Sequence, residues 1–179
     1  PNLAPFEVDD AVMGRWLGEY PNHPDILERA LRRSVERLGG APLDPLTLDL
    51  LHRYMLARPV DPFPHRLLAK RELASEDPTR AIPHLVELDR REEHDNAYAL
   101  ELARLYRSSG DAARASASAE RAVRMDPYDP AIRELAAAVA IEAKDLELAR
   151  RHVWALTRIE PDQPQHRARL AKLDELLRK

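Results

Sequence analysis

Apolar residues recur at helical spacing along this chain, in blocks separated by polar breaks. Leu67 and Leu68, then Leu102, Leu105 and Tyr106, then Leu135 and Val139 mark one set of helical faces. Leu85 and Leu88, then Val123, then Val153 and Leu156 mark a second set lying between them. Each block therefore predicts two amphipathic helices joined by a tight turn, of which Ser108-Ser109-Gly110 is the clearest.

The blocks keep a period. The frame Pro-x-x-Pro stands at residues 21–24, 59–62, 127–130 and 161–164. From Pro127 to Pro161 is 34 residues, and from Pro59 to Pro127 is 68, with Glu93-His94-Asp95-Asn96 as a degraded middle copy. From Pro21 to Pro59 is 38. A fixed period of this size means stacked helix pairs, each too small to bury a core alone.

The period divides the chain into four units, at residues 24–61, 62–95, 96–129 and 130–163. Residues 1–23 hold an extra helix, Val8 to Tyr20, and a link; residues 164–179 hold a capping helix. Asp61, Asp95 and Asp129 precede the first helices as caps, and Asp77, Asp111 and Asp145 precede the second ones. Pro62, Pro130 and Pro164 follow as first helical residues, where a missing N–H costs nothing. In the first unit, Ile26 to Leu38 is followed by the breaker Gly39-Gly40-Ala41-Pro42, and Asp44-Pro45 opens the second helix. The four additional residues of that unit fit in its loop at little entropic cost. Ala69, Ala103 and Ala137 recur at the eighth place, and Ala81, Ala115 and Ala149 at the twentieth. These are expected points of close helix approach.

Composition narrows the function. Lys plus Arg number 28 against 31 Asp plus Glu, a balance unlike that of a generic nucleic-acid binder. Arginine supplies nearly all of the positive charge, which reads as a GC-rich, bacterial coding bias. There is no cysteine, so disulfides, thiolate metal sites and a cysteine nucleophile are excluded. The longest apolar run, Leu135 to Ile141, is seven residues, against roughly 20 for a membrane span. The chain begins at Pro1 without Met, so further sequence is expected upstream; cytoplasm and periplasm are equally compatible.

No pattern points to catalysis or a cofactor. His84 and His152 occupy the same place in separate units, and His94 lies in a link, so no metal-ligand spacing results. Glu92-Glu93 and Asp9-Asp10 lie in links or at helix starts, where they complement the helix dipole. Ser108, Ser109, Ser116 and Ser118 have no base at a recognisable spacing. Trp154, on a second helix, is expected to pack between units, with a partner anchor on the convex face as the alternative.

These positions resemble the tetratricopeptide repeat (TPR). Residues 96–129 match its pattern through Leu102, Ala103, Tyr106, Gly110, Asp111, Ala115, Ala122 and Pro127. Residues 130–163 keep Ala137, Ala149 and Pro161, with Ala140 at the eleventh place. Residues 62–95 keep Ala69 and Ala81 but carry Glu72 and Glu93 where Tyr and Pro are usual. The resemblance covers residues 21–179 and implies an all-α fold, a right-handed superhelical solenoid of helix pairs. It also implies that the first helices line a concave groove for a protein or peptide partner.

Under that resemblance the ninth, groove-facing place reads Arg32, Lys70, Arg104, Ala138 and Lys172, and Arg66 and Arg107 occupy neighbouring groove places. Arg32, Arg66, Lys70, Arg104 and Arg107 are thus the candidate peptide-binding residues, suited to an acidic or carboxylate-bearing segment. The family's clamp for a C-terminal carboxylate uses an Asn that this groove lacks. The alternative to a ligand groove is a salt-bridge ladder with Glu101, Glu134 and Glu142. The expectation is a non-catalytic protein-binding scaffold, without nucleic acid, membrane insertion or cofactor. Two alternatives are an accessory tail of a larger bacterial enzyme and a module that associates with itself.

Overall fold

The structure, a computed structural model, describes residues 9–91 and 95–178. Val8, Glu92, Glu93, His94 and Lys179, which the sequence places in the extra helix, a link and the final helix, lie outside the described residues. Among the described residues there are ten α-helices, one 3₁₀ turn and no strand.

The chain divides into two compact units between Pro64 and His65. The first holds α1 (Asp10–Glu19), α2 (Pro24–Leu38) and α3 (Pro45–Ala57). The division falls in the first turn of α4 (Phe63–Leu73). The second continues through a 3₁₀ turn (Pro78–Ala81), α5 (Ile82–Arg91), α6 (Asn96–Ser108), α7 (Ala112–Met125), α8 (Pro130–Glu142), α9 (Leu146–Ile159) and α10 (Pro164–Leu176). The fold is all-α and built from successive helix pairs.

Aspartate starts these helices by accepting from free first-turn amides. Asp44 takes Thr47 N at 2.7 Å, Asp111 takes Arg114 N at 3.0 Å, Asp129 takes Ala131 N at 2.7 Å and Asp145 takes Leu148 N at 2.9 Å. Each such cap satisfies an amide that the first turn of the helix leaves without a backbone partner. Two departures from the sequence reading occur in residues 62–95. Helix α4 begins at Phe63, one residue after Pro62, and Asp61 accepts from Phe63 N at 2.8 Å. The residues after Asp77 form a 3₁₀ turn before α5 rather than one helix. Pro83 explains it: its ring would meet the carbonyl of Thr79 in a continuous α-helix, and it has no N–H to donate there.

In the first unit Leu27, Leu31, Leu51 and Tyr54 are fully buried between α2 and α3. Ser34 and Thr47 meet there, hydroxyl to hydroxyl, at 2.6 Å. Each satisfies the other, since an unpaired buried hydroxyl would be costly.

The second unit's core is made where helices cross. Ala69, Ala81, Ala103, Ala115, Ala137 and Ala149 are all buried. Leu85, Leu88, Leu102, Leu105 and Tyr106 fill the space beside the first of these crossings. Ala99, Ala119, Ala122 and Ile132 pack the next, and Ala140, Val153 and Leu173 the last. The α6–α7 and α8–α9 turns close alike. Asp111 N donates to Tyr106 O and Asp145 N to Ala140 O, each at 2.9 Å. Both turns need a left-handed residue, supplied by Gly110 (φ 79°) and Lys144 (φ 62°). Trp154 corrects its expectation: it is 53% exposed, with the Arg158 guanidinium 6.0 Å from its ring centre, and does not pack between units.

Candidate functional site

Helices α4 and α6 wall a slot in the second unit. Arg66, Lys70 and Leu73 come from α4, with Ala74 just beyond its end. Ala97, Tyr98 and Glu101 come from the first turns of α6, and Ala69, Leu85 and Leu88 form the floor. The slot encloses about 530 Å³. It stays open because Ala69, Ala74 and Ala97 put little bulk between walls whose floor helix, α5, packs directly on α6. Arg66 and Lys70 stand one turn apart on α4, hence on one face.

The five candidate residues differ in what occupies them. Arg32, in the first unit, pairs with Glu28 at 2.9 Å and lies 4.3 Å over the Phe63 ring. Arg104 reaches Glu101 of its own helix at 3.3 Å. Arg107 grips Glu142 of α8 with two nitrogens, Nε to Oε2 at 2.9 Å and Nη2 to Oε1 at 2.7 Å. That fork holds the Glu142 carboxyl below its ordinary value and raises the guanidinium of Arg107. Arg66 also has a partner. Lys70 is the candidate without an ion pair, hydrogen bond or ring contact among the described residues, and its side chain is exposed. Four of the five cations are thus engaged; of the cross-helix pairs that the ladder alternative calls for, Arg107 makes one with Glu142, whereas Arg104 pairs within its own helix. Glu134 joins the ladder by accepting from Arg169 of α10 at 2.6 Å.

Several linking residues escaped the sequence reading. Arg121 holds the Asp89 carboxylate at 2.7 Å and its carbonyl at 2.8 Å, tying α7 to α5. Arg133 donates to Pro127 O at 3.0 Å, and Arg167 to Pro161 O at 2.9 Å. Their signal was present: Pro127 and Arg133 recur 34 positions on as Pro161 and Arg167. The imidazoles of His65 and His84 meet at 3.3 Å, and Arg133 meets His152 at 3.2 Å, both 19 residues apart. Burial depresses all three histidines, with Arg91 adding to the effect at His65; at His152 Glu120, 2.6 Å away, opposes it.

A second cavity of about 540 Å³ lies between the end of α9 and α10. Its polar groups are engaged: Arg167 serves Pro161, and Asp174 takes Arg150 at 2.5 Å. Among the described residues no three His, Asp or Glu side chains converge as metal ligands, and no helix is long and apolar enough to cross a membrane.

No protein-family model matches the sequence, and no curated protein matches it. Solved structures do. The MamA protein superposes with a TM-score of 0.58 at 13% identity, over 87% of this chain and 82% of that one. The PilF protein of Pseudomonas aeruginosa gives 0.50 at 15% identity, over 90% and 71%. The Cut9–Hcn1 hetero-tetramer of the APC/C gives 0.51 at 15% identity, over 91% of this chain and 32% of that one. At these identities the likeness concerns the fold. With the capped helix pairs and the buried alanine crossings, it makes the fold of this chain that of the tetratricopeptide repeat proteins.

Proposed function

We propose that the chain is a non-catalytic scaffold that binds a protein partner through a peptide segment laid along the first helices of the second unit. The observation that carries this reading is the open slot between α4 and α6 with Lys70 uncompensated at its edge. Surface lysines are usually solvated and apolar gaps usually closed; together they form a place where a segment loses water and gains a charge partner. Arg66, Arg104 and Arg107 extend the basic wall, and Arg32 holds the ninth place of the first unit. The segment is acidic or carboxylate-bearing. Cut9 was solved as a hetero-tetramer with Hcn1, an instance of this fold engaged with a protein partner.

The test is a peptide-display selection on the wild-type chain, counter-screened on the Lys70→Glu, Arg104→Glu double variant. Enrichment of acidic sequences that the variant loses supports the reading. Peptides retained equally by the variant would remove the groove from the account.

A further inference from the structure

The ion pairs described above change what the groove can select. A groove lined by free cations would favour a polyacidic ligand bound mainly by charge. Three of the five instead spend their charge on Glu28, Glu101 and Glu142, and Arg66 has a partner as well. What remains beside Lys70 is apolar: Leu73, Leu85, Leu88 and the ring of Tyr98.

We infer that the slot between α4 and α6 is an anchor subsite, taking one large apolar side chain whose neighbouring residue presents a single carboxylate to Lys70. This rests on the reading of the second unit as a peptide-binding groove and deepens it. The volume of about 530 Å³ admits a leucine or phenylalanine side chain together with the backbone that carries it. Burial of that side chain supplies most of the affinity, because apolar area gains free energy without a charge partner and is not screened by salt. The carboxylate sets orientation. The ammonium of Lys70 stands on the α4 wall, whereas the α6 wall carries Glu101 with its partner Arg104, so a ligand carboxylate is drawn to the α4 side. The same asymmetry disfavours a basic segment, which Lys70 would oppose.

The probes are three short acetylated and amidated peptides, titrated against the whole chain by fluorescence anisotropy. One carries adjacent Phe and Asp among serines and glycines; the others replace Phe by Ala or Asp by Asn. The inference expects the Ala peptide to bind roughly thirtyfold more weakly, and the Asn peptide roughly three- to tenfold more weakly. Lys70→Glu should remove the difference between the Asp and Asn peptides. Ala97→Trp fills the slot from an exposed position and should abolish binding of the Phe peptide while leaving the circular dichroism melt intact; Ala74→Trp is the second such variant should the first misfold. Equal affinity of the Phe and Ala peptides overturns the anchor while leaving a charge-based groove standing. Absence of binding by all three overturns both. Sedimentation closes the remaining case: a wild-type dimer that Ala97→Trp dissociates would make the slot's occupant a second copy and overturn the inference.

Discussion

Arg107 and Glu142, 35 residues apart, close a two-pronged ion pair between α6 and α8. The pair is a charge contact between consecutive first helices, in the wall that the sequence marks as basic. Both side chains remain more than 40% exposed. Its contribution is therefore about 0.2–1 kcal/mol and screened by salt. A double-mutant cycle with Arg107→Ala and Glu142→Ala should give a coupling energy in that range at low salt. It should shrink toward zero in molar salt, and a salt-independent coupling would contradict the exposed geometry.

Ala103 is fully buried at the α6 crossing. Ala103→Leu should destabilise by about 1–3 kcal/mol through overpacking, read as a lower urea midpoint. The exposed Ala117 on α7 should accept the same change within about 0.5 kcal/mol.

Lys144 adopts the left-handed conformation that Gly110 adopts 34 positions earlier. A side chain there carries a backbone strain that glycine avoids. Lys144→Gly should raise stability by about 0.5–1 kcal/mol, and Gly110→Ala should lower it by a similar amount. Thermal melts of the two variants should move in opposite directions.

The depressed histidines fix a pH dependence. His65, His84 and His152 have folded-state values below the ordinary 6.5, mainly through burial. The unfolded chain then binds protons more readily than the folded one as pH falls below that value. Their contribution is complete above about 6.5 and is lost as pH drops toward their folded values. Urea midpoints should decline from pH 7 to 5.5, ahead of the carboxylate range. His84→Gln should flatten that decline; an unchanged slope would remove this pair from the explanation.

Much of the architecture was legible because it is written in local signals. Asp111, Asp129 and Asp145 cap their helices through their own neighbours, and Ala103 and Ala137 mark crossings by size alone. The 3₁₀ turn was legible too, in Pro83, but a cap at Asp77-Pro78 masks a second proline five residues on. The state of the basic wall was not legible. Whether Arg107 meets water or Glu142 depends on how α6 and α8 lie against each other, which spacing within one helix does not encode. Trp154 escaped for a related reason: it stands on an exposed face of α9, and size alone does not place an aromatic ring inside. The slot escaped because three alanines in different places of the period make it jointly.

The carbonyls of Pro127 and Pro161 each accept from an arginine six residues on, in the helix that follows. A junction that repeats in this way is indifferent to how many copies precede it. Inserting a second copy of residues 130–163 would offer each end the kind of neighbour it already meets, whereas removing a single residue inside a helix would turn the rest of that helix out of register with its neighbours. Array length is thus a variable that duplication can change in whole steps, and the reach of a bound partner can grow with it without redesign of any seam.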